Sequence, residues 1–204
     1  MKSRVVPSNC SALRRAASLA LAVVPAVALA HEETGQAAGL LAGLAHPVSG
    51  LDHVLAMIAV GLWGAVLGPP AIWVLPVAFP LVMAVGGLMG PLGLPLPGVE
   101  VGIAVSAIVL GTMVLAEVRP PLWLAAAIVA FFAVFHGHAH GRELPEGTSA
   151  LLYSLGFVMA TGLLHAVGIL IGVAHQWAAG RQIVRVAGGA VALAGLFFLW
   201  RAIA

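Results

Sequence analysis

What this chain can fold into is limited first by its apolar runs. Past residue 50 the sequence falls into six nearly uncharged stretches, Asp52–Gly68, Ala71–Gly90, Val99–Val118, Leu122–Gly141, Ser149–Val173 and Ile183–Ile203, separated by glycine, proline and a few charges. About 20 apolar residues in a helix cross a bilayer, and hydrocarbon tolerates only segments that satisfy their own backbone hydrogen bonds. The expected fold is therefore an all-α integral membrane protein with six transmembrane helices. Composition agrees: 62% of the 204 residues are hydrophobic and 8% charged, with a mean hydropathy of +1.11, outside the soluble globular class. The loops are too short for a separate soluble domain. The spacings Gly64/Gly68, Gly86/Gly90 and Gly168/Gly172 read as close helix packing, and such faces also permit self-association.

Residues 1–30 read as a cleavable signal peptide. Lys2, Arg4, Arg14 and Arg15 precede "AASLALAVVPAVALA", a run too short for the roughly 20 residues of a span, which closes on the small residues Ala28 and Ala30. Cleavage there leaves residues 31–204 as one six-helix membrane domain beginning at His31. The single cysteine, Cys10, leaves with the signal, so the remainder offers no disulfide, thiolate ligand or cysteine nucleophile. The four basic residues leave too, and acids then outnumber bases. This removes any basic footprint for nucleic acid.

An exported N-terminus makes the bacterial cytoplasmic membrane the expected location, with His31 on the outer side. Arg119, Arg181 and Arg185 then fall in cytoplasmic loops, and Arg142 and Arg201 outside, in weak agreement with the positive-inside rule. Trp63, Trp73, Trp123 and Trp177 fall near the inner interface and Trp200 near the outer one.

This topology brings two distant polar stretches to one side. "HPVSGLDH", residues 46–53, enters the first helix from outside, and the fourth helix returns "FHGHAHGRE", residues 135–143, to the same face. At 100° per residue His136, His140 and Glu143 project at about 0°, 40° and 340°, and His138 at about 200°. Neutral imidazoles with carboxylates and no thiols suit a first-row divalent ion. Ionisable groups within a membrane segment are costly and mark transport paths or reactive sites. Ser49-x-x-Asp52 also has the form of a capping box, which gives Asp52 a second reading as a helix cap.

These residues resemble the HupE/UreJ family of nickel and cobalt permeases, whose motifs have the forms HPxxGxDHxL and FHGxAHGxE. His46, Pro47, Gly50, Asp52, His53 and Leu55 match the first, and Phe135, His136, Gly137, Ala139, His140, Gly141 and Glu143 the second. His138 occupies the unspecified position. "GFVMATGLLHAVG", residues 156–168, is similar to the family's fifth helix and includes His165. The resemblance implies metal ligands at His46, Asp52, His53, His136, His140 and Glu143, transported Ni2+ or Co2+ as substrate and no prosthetic group. It also implies intracellular metallochaperones of nickel enzymes as partners, besides the lipid bilayer.

Further candidates for the path are His31, whose α-amino nitrogen and imidazole form a chelate after cleavage, His165, Glu100 and His138. His165 is also read as helix glue, Glu100 as the start of the third span, and Glu117 as an ion pair with Arg119. Two other classes remain open from the residues: a metal-binding accessory protein that does not transport, and a membrane metalloenzyme. No P-loop pattern points to ATP hydrolysis, and the expected activity is not enzymatic.

Overall fold

The computed structural model describes residues 38–90, 92–141 and 149–204, all helical or in short connections. The expected signal peptide, His31 and Glu143 lie outside these residues. The elements are α1 (Ala38–Ser49), α2 (Leu51–Leu67), α3 (Ala71–Met89), α4 (Val99–Leu115), α5 (Leu122–His140), α6 (Ala150–Val173) with a 3-10 turn at Ala174–Gln176, and α7 (Ala178–Ile203).

Each expected span overlaps one of α2 to α7, with α7 starting five residues earlier than expected, at Ala178 and not Ile183, but length divides them. Helices α3, α5, α6 and α7 are long and apolar enough to cross a membrane alone, and α1 with α2 forms a further candidate bent by 83°. Helix α4, of 17 residues, is a shorter apolar helix. The bent pair was not expected from the sequence. Residues 38–49 fall in none of the expected spans; in the structure they form a helix ending at Gly50, whose extended backbone starts α2.

Helices α2 to α7 alternate in direction, which gathers the starts of α2, α4 and α6 and the ends of α3, α5 and α7 at one end of the bundle. Glycine-mediated contacts hold the pairs. A Cβ on Gly61 would lie 2.2 Å from the His165 carbonyl oxygen, and one on Gly168 2.2 Å from that of Ile58, so α2 and α6 touch backbone to backbone. A Cβ on Gly137 would lie 1.9 Å from the Met83 carbonyl oxygen between α5 and α3, and one on Gly111 2.5 Å from the Ala192 amide nitrogen and 2.6 Å from the Gly188 carbonyl oxygen between α4 and α7. Such approaches replace the hydrophobic effect as the packing force where the surroundings are lipid. Of the expected glycine spacings, Gly168 and Gly172 both sit close against α2, and Gly86 packs against Val134 of α5; Gly68 instead ends α2 at φ 78°, with nothing near its Cβ position.

Trp63, Phe79, Met57, Leu62, Leu75 and Leu110 fill the centre, while Leu81, Phe131, Leu170 and Leu193 face outward. This inversion suits a bundle sheathed in lipid. Trp73, Trp123, Trp177 and Trp200 are exposed as an interfacial residue should be, but Trp63 is not: it is fully buried and its Nε1–H donates to the Val118 carbonyl at 3.0 Å. The opposite end is closed by Glu117. Its carboxylate accepts from Arg181 Nε at 2.6 Å and also from Arg181 Nη2, so its partner is 64 residues away and not the expected Arg119.

Candidate metal site

The end where α2 starts and α5 stops carries the histidines. In the first turn of α2 the Asp52 carboxylate accepts two bonds from the next residue, His53 N–H at 2.9 Å and His53 Nδ1–H at 3.0 Å. The expected capping box is absent: Gly50 is the N-cap without a side-chain bond, and Ser49 Oγ donates instead to the His46 carbonyl at 2.7 Å. Asp52 satisfies one early helix amide and, with the same oxygen, orients the imidazole. An Nδ1–H donated to a carboxylate leaves the lone pair on Nε2, and His53 Nε2 is buried with no hydrogen-bond partner among the described residues.

A similar argument fixes His136 on α5, which is fully buried. Ser106 Oγ donates its single proton to the Ile103 carbonyl at 2.6 Å, so toward His136 Nε2, at 3.0 Å, it acts as acceptor. Nε2 therefore carries the proton and Nδ1 the lone pair, and Nδ1 has no partner among the described residues. Sequence reasoning missed Ser106. A lone serine in an apolar helix, 30 residues from its partner, has no local signature.

The remaining rings close the cluster. His46, on α1 and not in a loop, places Nε2 2.7 Å from His140 Nδ1. The rings of His53 and His136 are 4.8 Å apart, and those of His53 and His140 4.5 Å, edge to face or tilted. Phe157 backs His140 at 4.7 Å. Thus His46, Asp52, His53, His136 and His140 share one neighbourhood drawn from α1, α2 and α5. Among the described residues no three of the His, Cys, Asp or Glu side chains converge on one ion position; the rings pack on one another.

Beside this cluster a cavity of about 590 Å³ is lined in part by Asp52, His53, Glu100, His138 and Arg201. His138 therefore stands apart from His136 and His140, as the helical projection requires, yet borders the same Asp52–His53 pair from the other side. Its Nδ1 is buried without a partner among the described residues. Glu100 is exposed in the first turn of α4, so it both begins that helix and lines the cavity. His165 lies elsewhere, buried on α6, with its ring centroid 5.6 Å from that of Phe79.

At the far end Glu117 adopts φ 52°, a left-handed conformation uncommon for a residue with a side chain. The Arg181 guanidinium holds its carboxyl down to about 2, below the usual carboxylate range. Arg185 Nε donates to the Leu115 carbonyl at 3.1 Å, and His175 Nε2 lies 3.7 Å from Glu117. His175 carried no sequence signal because its turn is unremarkable and its partner distant.

Over residues 19–198 the chain matches the family described as HupE / UreJ protein. It is 49% identical over 182 residues to Protein HupE of Rhizobium leguminosarum bv. viciae, covering 89% of this chain and 95% of that protein. No solved structure matches it. With a match across most of its length and the two histidine motifs meeting at one end of an apolar helical bundle, the chain belongs to the HupE/UreJ family.

Proposed function

We propose that this protein is a secondary transporter that admits a divalent first-row metal ion, nickel or cobalt, into the cell. The histidine end faces the outside of the bacterial cytoplasmic membrane, after removal of the signal peptide, and the ion leaves for intracellular metallochaperones. The observation that carries this reading is the pair of lone pairs on His53 Nε2 and His136 Nδ1. Both are buried, neither has a partner among the described residues, and their rings are in contact inside an apolar bundle. Core histidines that only stabilise would have those atoms bonded, since a buried polar atom left unpaired costs about 1–3 kcal/mol.

In this reading the cavity beside Asp52 and His53 receives the hydrated ion, with Glu100 and Asp52 supplying negative charge. His53, His136 and His140 exchange water for imidazole nitrogen, helped by His46 and by Glu143 beyond the end of α5. The Asp52 carboxylate offsets the ion's charge and keeps His53 in the ligating tautomer. Protons compete for the same lone pairs, so uptake falls as the outer medium is acidified. A nitrogen and oxygen site prefers copper over nickel by intrinsic affinity, so cargo choice rests on ligand geometry and metal supply.

The deciding measurement is radiolabelled nickel flux into proteoliposomes that contain only this chain. Flux above empty vesicles that disappears in His53→Ala and His140→Ala supports the proposal. Binding without flux would leave a metal-binding accessory protein.

A further inference from the structure

Helix α3 contains Pro76 and Pro80. Proline has no N–H, so the carbonyls of Ile72 and Pro76, which residues 76 and 80 would normally bond, lose their donors within the helix. Membrane helices tolerate such breaks where other groups use the freed carbonyls. Between the prolines stands Phe79, fully buried. Its ring touches two histidines edge to face: His136, the innermost ring of the outer cluster, at 5.3 Å between centroids, and His165 at 5.6 Å.

On the inner side of Phe79 stand His165 and the Pro76 carbonyl, with Thr161 one turn of α6 nearer the histidine end. His165, 2% exposed, turns one ring N–H to the Pro76 carbonyl and leaves its other ring nitrogen without a partner among the described residues. Thr161, 0% exposed, precedes it by one turn on the same face of α6, and its hydroxyl also lacks a partner among the described residues. Histidine and threonine that merely tie helices together donate or accept across the interface. Here the Thr161 hydroxyl and one imidazole nitrogen do neither, beside the carbonyl that α3 has surrendered.

We propose that His165 and the Pro76 carbonyl form an inner station for the permeating ion, with Thr161 at its outer edge, and that the Phe79 ring is the gate separating it from the outer histidine cluster. This rests on the permease reading above. The inner groups carry no charge and hold a divalent ion more weakly than a cluster containing a carboxylate. Weak intermediate binding is what conduction requires, because an ion must leave each site it enters. The doubly broken hydrogen-bond ladder around Phe79 is where α3 yields most readily to let the ring turn.

The test uses the full chain in sealed proteoliposomes with nickel as the probe. His165→Ala should lower maximal flux about tenfold or more while the half-saturating outer concentration stays within about twofold, because the capturing cluster is intact. If His165→Ala fails to insert, His165→Asn replaces it with the same expectation. In a Cys10→Ser background, His165→Cys should react slowly with a water-soluble methanethiosulfonate added at the histidine end. Adding Phe79→Ala should speed this reaction about tenfold, since thiol reactivity follows access. Parental flux in a folded His165 variant overturns the inner station, and unchanged labelling with Phe79→Ala overturns the gate. A parent chain that carries no nickel overturns the permease reading instead. The labelling needs no transport and still decides the gate.

Discussion

Asp52 and Ser106 do the same work on two different histidines. Each bonds one ring nitrogen and so determines which of the two is left to meet an ion, as such supporting partners do in metal sites generally. Asp52→Asn retains an oxygen for the His53 amide but loses the charge that favours Nδ1–H and offsets a cation. It should insert and fold normally yet lose nickel flux, whereas a carboxylate that served only the helix start would be replaceable by Asn, which caps about as well. Ser106→Ala leaves His136 Nε2–H without an acceptor; metal affinity measured by calorimetry in detergent should fall about 10- to 100-fold. Two histidines separated by one residue on α5 give a sharper comparison. His136→Ala should abolish flux and His138→Ala should spare most of it, because His138 borders the cavity and not the ring cluster; equal losses would mean that both bind the ion. The sequence made the cluster legible because motif spacing places ligating types at one end of two helices. It left Ser106 hidden, since a serine among apolar residues looks the same whether or not a distant imidazole reaches it.

At the scale of elements, glycine decides which helices touch and therefore where the ligands stand. Gly137 sits between His136 and His138, and a Cβ there would meet the Met83 carbonyl oxygen at 1.9 Å and the Gly87 amide nitrogen at 2.9 Å. Backbone cannot step aside as a flexible side chain does. Gly137→Ala should separate α5 from α3 at the height of the site, costing about 1–3 kcal/mol of stability and most of the nickel flux. Thermal unfolding in detergent together with flux checks both, and wild-type behaviour in either would show that the α3–α5 contact is looser than its geometry. The six apolar runs were readable because hydrophobic length alone marks them. Helix α1 was not, because a 12-residue apolar piece with an internal proline is too short to mark a span, and Gly43 fits it against the Tyr153 backbone of α6. The same dependence on tertiary contact explains Trp63: aromatic rings are enriched at interfaces, but this one lies where α2 passes the Val118 carbonyl.

Across the whole molecule the two ends are built from different chemistry. The histidine end presents ring nitrogens and carboxylates around a cavity, while the other end ties α4 to α7 through Glu117 and Arg181, with Arg185 and His175 nearby. Sequence reading placed Glu117 at an ion pair but chose the neighbouring Arg119, since only the packing of α4 on α7 brings residue 181 to residue 117. This clamp has a definite pH dependence. The Glu117 carboxyl titrates near 2 in the folded chain against about 4.5 when unpaired, so its contribution to stability is complete above the unpaired value and is lost as pH falls through the lower one. Thermal unfolding of the parent and Glu117→Gln should therefore differ at pH 6, converge between about 4.5 and 2, and coincide below that window. High salt should narrow the difference at pH 6, because the pair is near the surface and open to screening. If the histidine end captures nickel as proposed, both proteins should bind it equally, since the clamp lies at the opposite end of the bundle. A change in nickel affinity with Glu117→Gln would mean that the two ends are coupled through α4 and α7, and the treatment of the clamp as a purely structural tie would fail.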